Sequence, residues 1–413
     1  MAFFLLLLYL VIVYMRPAEW IPMFAGWQML DVAMLSTVFF LFLRAALAKG
    51  SNLVRIPHNR MIVGLLAAIV LSHAAHGYVG GIIHSASIFI VNVLLYFLVV
   101  NIVNTPRKLK TAVWVLVVLT AIMAVQGVQQ DARGWGWAGQ GTAWGRITWV
   151  GIFEDPNDLG LAFVTMVPVL LAYIFGPAFI GFKWLPMGLV GLLVYGLYLT
   201  NSRGAMLALM AAVAFFFIRR SKHRLLGGVL GGAMALLILL FGPSRMGMMS
   251  AQEESAAERL QAWYYGFQLL KHNPLFGAGQ DLFTNDYPLT AHNSFVLAFA
   301  ELGLVGFFFW IALLYVSFKG LEVAHRYHGE HLSPYTYGLE CGLVGFCTAA
   351  FFLSRTYVMI PYLLAALAAA LANIVRKQTP ELVVAFTGRD VRNVLGLCVG
   401  IIVFLQVAMK TWL

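Results

Sequence analysis

The chain has 413 residues, of which 61% are hydrophobic and only 11% charged. A soluble globular chain carries about a quarter charged residues, so that class is excluded. The apolar blocks run continuously instead of alternating with polar residues, which excludes an outer-membrane barrel. The net charge of +10 suggests nucleic acid, but the positions of the charges decide against it.

At about twenty apolar residues per crossing, this length holds roughly a dozen helical spans. The apolar blocks predict thirteen, near residues 2–14, 28–43, 61–74, 84–103, 109–127, 158–176, 184–200, 205–218, 225–241, 294–318, 335–353, 357–375 and 393–409. With a cytoplasmic N-terminus, the even-numbered turns hold Arg44, Lys49, Arg55, Arg60, Arg107, Lys108, Lys110, Lys183, Arg219, Arg220, Lys222 and Arg224. They continue with Lys319, Arg326, Arg376, Lys377, Arg389 and Arg392, making 18 of the 27 basic residues. The positive-inside rule then fixes the orientation, and the basic excess is a topology signal. The short first block lacks a basic leader and a small-residue cleavage site, so it reads as a tilted first helix, not a removed signal peptide. The expectation is an all-α polytopic transmembrane bundle of 12 to 13 spans, forming one integral membrane domain over residues 1–413. Cys341, Cys347 and Cys398 lie inside apolar blocks and read as small hydrophobes.

Two outer loops are long, residues 128–157 and 242–293, and long loops on one face suggest a site built there. The first is dense in Gly and Trp. Its Trp135, Trp137, Trp144 and Trp149 are interfacial anchors or flat rings on which sugars could stack. It ends in Glu154-Asp155-Pro156-Asn157-Asp158, where Asp155 is a helix cap and Pro156 the first helical residue. At Thr200-Asn201-Ser202-Arg203-Gly204, Asn201 or Ser202 can cap the returning helix. The free N–H groups of that helix and Arg203 beside them would favour an anion, although Arg203 also reads as an interfacial anchor.

In the second loop, Ser255 to Glu258 fits a capping box, and Leu260, Trp263, Tyr264 and Phe267 follow at helical spacing up to His272-Asn273-Pro274. This predicts an amphipathic helix along the membrane interface, with Arg259 in its first turn, either a site cation or paired with Glu254 or Glu258. His292, in Thr290-Ala291-His292-Asn293-Ser294, titrates near neutrality and is either a hydrogen-bonding filler or a general base. Glu301 is nine residues on, half a turn out of phase on one helix, so its partner is expected on a neighbouring helix.

The runs Phe153 to Asn157, Asn201 to Gly204, Glu258 to Trp263, Asn273 to Gly279, His292 to Phe295 and Glu301 to Gly306 resemble, in order, the O-antigen ligase and polymerase family. That resemblance covers roughly residues 150–310. It implies a bacterial inner-membrane glycosyltransferase, metal-independent and inverting, with an outer loop whose short helices cover a periplasmic site. It also implies a glycan donor on undecaprenyl diphosphate and an acceptor hydroxyl on a glycan, lipid or protein. Carried over residue by residue, Arg203 and Arg259 would hold the diphosphate and His292 would activate the acceptor, with Ser202, Asn157 and Asn293 at substrate-binding motif positions. No cofactor is implied, and no outer loop has an Asp-x-Asp pair or a His and carboxylate cluster at metal-ligand spacing.

A transporter or lipid-linked glycan flippase without covalent chemistry is the alternative, but only Glu301 and Glu340 are ionisable at mid-membrane positions. A lipid diphosphate phosphatase lacks its histidine and carboxylate after Ser202-Arg203, and a metal-dependent oligosaccharyltransferase lacks its acidic pairs. The roles of Glu301 and Arg355, and the choice of acceptor, stay open from the sequence.

Overall fold

In the computed structural model, the described residues are 1–47, 53–176, 183–221, 224–240, 254–285, 287–327 and 329–412. They form an all-helical fold, with no named strand among them. The helices are α1 (Ala2–Met15), α2 (Pro17–Trp20), α3 (Met29–Leu47), α4 (Pro57–Ala74), α5 (Val79–Ile102), α6 (Pro106–Arg133), α7 (Pro156–Phe175) and α8 (Trp184–Leu199). They continue as α9 (Arg203–Arg220), α10 (Arg224–Leu240), α11 (Glu254–His272), α12 (Ser294–His325), α13 (Ser333–Ala350), α14 (Met359–Gln378) and α15 (Gly388–Trp412). Each of the thirteen apolar blocks falls on a helix. Eight of the described helices are long and apolar enough to cross a membrane.

Helix ends follow local chemistry. Asp155 caps α7 by accepting from Asn157 N, with Pro156 at the first position, as expected. Ser202, not Asn201, caps α9 by accepting from Ala205 N. Asn293 caps α12, its Oδ1 accepting from Phe295 N at 2.9 Å and Val296 N at 3.1 Å. The described part of α11 begins at Glu254. The capping box read at Ser255 lies outside the described residues, since the side chains of residues 254–257 and the whole of residues 241–253 fall outside them.

The core is built on α14, whose apolar window is 94% buried. Its run Ala365-Ala366-Leu367-Ala368-Ala369-Ala370 lets neighbouring backbones approach closely, as small residues do between membrane helices. It packs on α5, α12 and α13; α7 packs on α13 and α8, and α9 on α10 and α13. By contrast, α3 and α15 are only 24% and 22% buried, and their outward Val32, Leu35, Phe39, Val399, Val403 and Phe404 form an apolar skin.

Contacts between turns segregate into two sets. At one end Trp149 Nε1 donates to Tyr14 O, His76 Nε2 bonds Gly277 O, and Arg146 Nε donates to Thr200 O. At the other, Val54 N donates to Asn101 Oδ1, Arg376 Nη1 to Arg55 O and Arg220 Nη2 to Phe175 O. The first set joins turns expected outside and the second joins turns expected inside.

α12 is broken. Gly303 has φ 63 and ψ −169 inside it, and the segment Pro274–Gly279 fills the break. Ala278 N and Gly279 N donate to Ala300 O and Glu301 O at 2.9 Å, while Leu304 N and Val305 N donate to Pro274 O and Leu275 O at 2.8 and 3.2 Å. Only glycine fits the contact: a Cβ on Gly303 would sit 2.4 Å from the Leu275 carbonyl, and one on Gly277 2.3 Å from that of Glu301. The two motifs 273–279 and 301–306 are thus halves of one interlock. The interlock also ties the end of α11 to α12.

Candidate active site

Three helix starts, those of α7, α9 and α12, meet α11 and one short loop at the end of the bundle where the turns expected outside cluster. Asn157, in the first turn of α7, is the junction. Its Oδ1 accepts from Ser202 Oγ at 2.7 Å and from Arg146 Nη2 at 2.9 Å, and its Nδ2 donates to Asp155 Oδ1 at 2.8 Å. The amide therefore joins the caps of α7 and α9 to the preceding loop. Arg203 follows Ser202 as the first residue of α9, and a Cβ on Gly204 would meet Phe352 Cβ at 3.1 Å. The start of α9 thus abuts the loop 351–358 between α13 and α14.

That loop carries Arg355, whose guanidinium bridges Asp155 Oδ2 at 2.5 Å and Asp158 Oδ1. Its backbone is pinned to the start of α12. Arg355 N donates to Ser294 Oγ at 2.7 Å, Ser294 Oγ donates to Leu353 O at 2.6 Å, and Thr356 Oγ1 donates to Ser294 O at 2.9 Å. Thr290 Oγ1 donates to Ser354 Oγ at 2.8 Å from the other side.

His292 sits two residues before α12, half-buried, with φ 48. A left-handed backbone is uncommon for a non-glycine residue, and such conformations concentrate at functional sites. Burial pushes its imidazole below the ordinary range, the Arg259 and Arg355 cations push it further, and the Asp155 carboxylate opposes them. Arg259, Arg355 and Asp155 are therefore all close enough to act on one ring. His292 lies outside the helix, so the half-turn offset from Glu301 drawn on one helix does not apply.

Arg259 is held by α11. Trp263, one turn on, is 8% exposed, donates Nε1 to Ala291 O at 3.1 Å and packs against Phe351. Phe267 packs against Phe299 in a tilted pair with ring centroids 5.0 Å apart. The apolar face of α11 is thus turned onto α12 and the 351–358 loop, where the sequence predicts a face laid on lipid. The partner of Glu301 also differs from expectation. Its Oε1 accepts from Phe283 N at 3.2 Å, and the buried Tyr357 hydroxyl lies near it, so loops and not a neighbouring helix surround it.

The tryptophans divide. Trp149 is 1% exposed and packs with Trp20 and Trp137 in a ring cluster, which makes it structural. Trp135 and Trp144 are exposed on the turn that ends in Arg146. Among the described residues, no group of three His, Cys, Asp or Glu is placed to hold a metal ion.

Against this geometry, the chain compares with known proteins as follows. Residues 188–311 match the O-antigen ligase family. The resemblance read from the motifs thus holds for this stretch, which carries Ser202, Arg203, Arg259, His292 and Asn293. O-antigen ligase and polymerase-type proteins are membrane glycosyltransferases, in agreement with the all-helical apolar fold. Asn157, and the Arg146 and Arg355 that contact its neighbourhood, lie outside the O-antigen ligase match. No curated protein matches the chain.

Proposed function

We propose that the protein transfers a glycan from undecaprenyl diphosphate to an acceptor hydroxyl at the periplasmic face of the bacterial inner membrane. In this reading the chain has 12 to 13 crossings, its N-terminus is cytoplasmic, and no metal takes part. The observation that carries the reading is the convergence on His292 of Arg259, Arg355 and Asp155, beside the α9 start that bears Arg203.

Breaking the bond between a sugar and a diphosphate leaves negative charge growing on the departing oxygen. Guanidiniums fixed where that charge develops stabilise it by roughly 3 to 4 kcal/mol each in a poorly hydrated site. Arg203 and Arg259 take this role, with the free N–H groups at the start of α9 adding their dipole. A diphosphate leaves well once its charge is met, which removes the need for a Lewis acid.

His292 is the acceptor's base. Burial and two flanking cations keep the ring neutral at pH 7, so it can take the hydroxyl proton while that oxygen bonds the anomeric carbon. The sugar–oxygen bond breaks on the opposite side, its electron pair leaves with the diphosphate, and a single displacement inverts the anomeric centre. Asp155 then offsets the imidazolium charge. Ser202 and Asn157 hold the two caps in register, and Asn293 sets the α12 start next to His292.

The test is purified protein with a lipid-diphosphate oligosaccharide and, separately, a lipid A core, a growing polysaccharide and a protein acceptor, all in EDTA. Glycosylated acceptor with stoichiometric release of lipid diphosphate is expected for one class. A metal requirement, or no release with any class, would overturn the proposal.

A further inference from the structure

A cavity of about 480 Å³ opens at the end of the bundle opposite the candidate site, lined by Arg55, Ile56, Pro57, Asn59, Arg60 and Phe386. It lies between the start of α4 and the segment that precedes α15. A third guanidinium reaches its rim, since Arg376 Nη1 donates to Arg55 O at 3.0 Å.

Cationic charge without a carboxylate partner among the described residues lines this cavity. Two cations at the same end are neutralised by carboxylates, Arg219 by Glu322 and Glu340 and Lys319 by Asp390. Among the described residues, neither Arg55, Arg60 nor Arg376 has one within ion-pair distance. Glu381, in the segment between α14 and α15, is exposed and pairs with none of them. Asn59 is committed elsewhere, its Nδ2 donating to Val54 O at 2.7 Å and its Oδ1 accepting from Tyr96 at 2.9 Å. The arginines are therefore the groups free to meet a ligand. α4 also begins here without a side-chain cap, which leaves its terminal dipole unanswered.

Like charges held around one cavity raise each other's energy unless an anion joins them. Ile56 and Phe386, both partly buried against the core, give the cavity an apolar wall beside its cations. Cations next to an apolar surface at a helix end suit an amphiphile whose charged head sits at the membrane boundary. We propose that this cavity binds the phosphate of an anionic phospholipid headgroup, with Arg55 and Arg60 as its principal ligands.

The test uses full-length protein in zwitterionic detergent, with fluorescent short-chain phosphatidylglycerol, phosphatidylcholine of the same chain length, and inorganic phosphate as competitor. Phosphatidylglycerol should bind at least about tenfold tighter than phosphatidylcholine. The Arg55→Gln/Arg60→Gln variant should lose roughly thirty-fold of that affinity, at about 1 kcal/mol per basic residue near a membrane surface. Arg55→Lys/Arg60→Lys, which keeps the charge and so the topology signal, should retain more of it. Efficient competition by inorganic phosphate would support the phosphate site while assigning it to a soluble anion. Equal binding of the two lipids, or undiminished phosphatidylglycerol binding by the Gln variant, would overturn the proposal.

Discussion

Replacing Arg355 by Ala tests how the candidate site is held together. The Arg355 side chain is 16% exposed and its two partners differ, Asp158 at 14% and Asp155 at 42%. Removing the guanidinium strands the Asp158 carboxylate in a nearly closed environment, and breaking a buried pair in this way costs about 3 to 5 kcal/mol. The half-exposed Asp155 adds less than about 1 kcal/mol, because water screens it. Both carboxylates stand in or beside the first turn of α7, where the helix dipole returns about 0.5 to 1 kcal/mol to an anion. The net expectation is a loss of about 3 kcal/mol. The assay is detergent unfolding of the purified protein, with Arg355→Met/Asp155→Asn/Asp158→Asn as the companion. That triple variant removes the stranded charge and should recover most of the stability. It should still fail in transfer, since the cation and carboxylate facing His292 are gone. An Arg355→Ala protein as stable as wild type, or a triple variant no more stable than the single one, would refute the reasoning.

Other substitutions probe separate parts of the account. Arg203→Lys or Arg259→Lys should lose about 10² to 10³ in initial transfer rate, because a point charge cannot replace the bidentate fork; near-normal turnover would remove the diphosphate role. The pH profile of kcat/KM has a predictable sign. The neutral imidazole of His292 is the active form and its pKa lies below the ordinary value of about 6.5, so activity should persist below that pH and fall only on further acidification. In Arg355→Gln one cation that depresses the ring is gone, so the acid limb of the residual activity should move to higher pH. Gly303→Ala should destabilise the protein by at least about 2 kcal/mol in the same unfolding assay, through its positive φ and the collision with Leu275.

The local signals in the sequence were dependable where the physics is local. Asp155-Pro156 reads as a helix start, and Asn201 or Ser202 as a cap, because a short polar side chain can reach amides two or three residues on, which needs no tertiary information. Asn293, read only as a motif position, caps α12 by the same chemistry. The apolar blocks found the helices for the same reason. The break in α12 was not legible, because Gly303 sits within a long apolar block interrupted only by Glu301, and the backbone segment that fills the break, Pro274–Gly279, is distant in sequence. The shared glycine pattern of 273–279 and 301–306 was the available signal, and it was visible only as motif. Arg355 and Arg146 escaped assignment since their partners are distant in sequence, about 200 residues away for Arg355 and 54 for the bond from Arg146 to Thr200. For Arg355 the available signal is a single Arg between two apolar blocks on the side expected outside. Trp149 reads like its neighbours in sequence, and only the packing of Tyr14 and Trp20 around it makes it structural.

The role of the imidazole is tested most directly by measuring transfer and donor affinity together in His292→Ala. Transfer to the acceptor should vanish while the lipid-diphosphate oligosaccharide binds within about twofold of wild type, since the donor is held by Arg203 and Arg259. Transfer that persists, or donor affinity that falls in step with transfer, would contradict the assignment of His292 as the base that activates the acceptor.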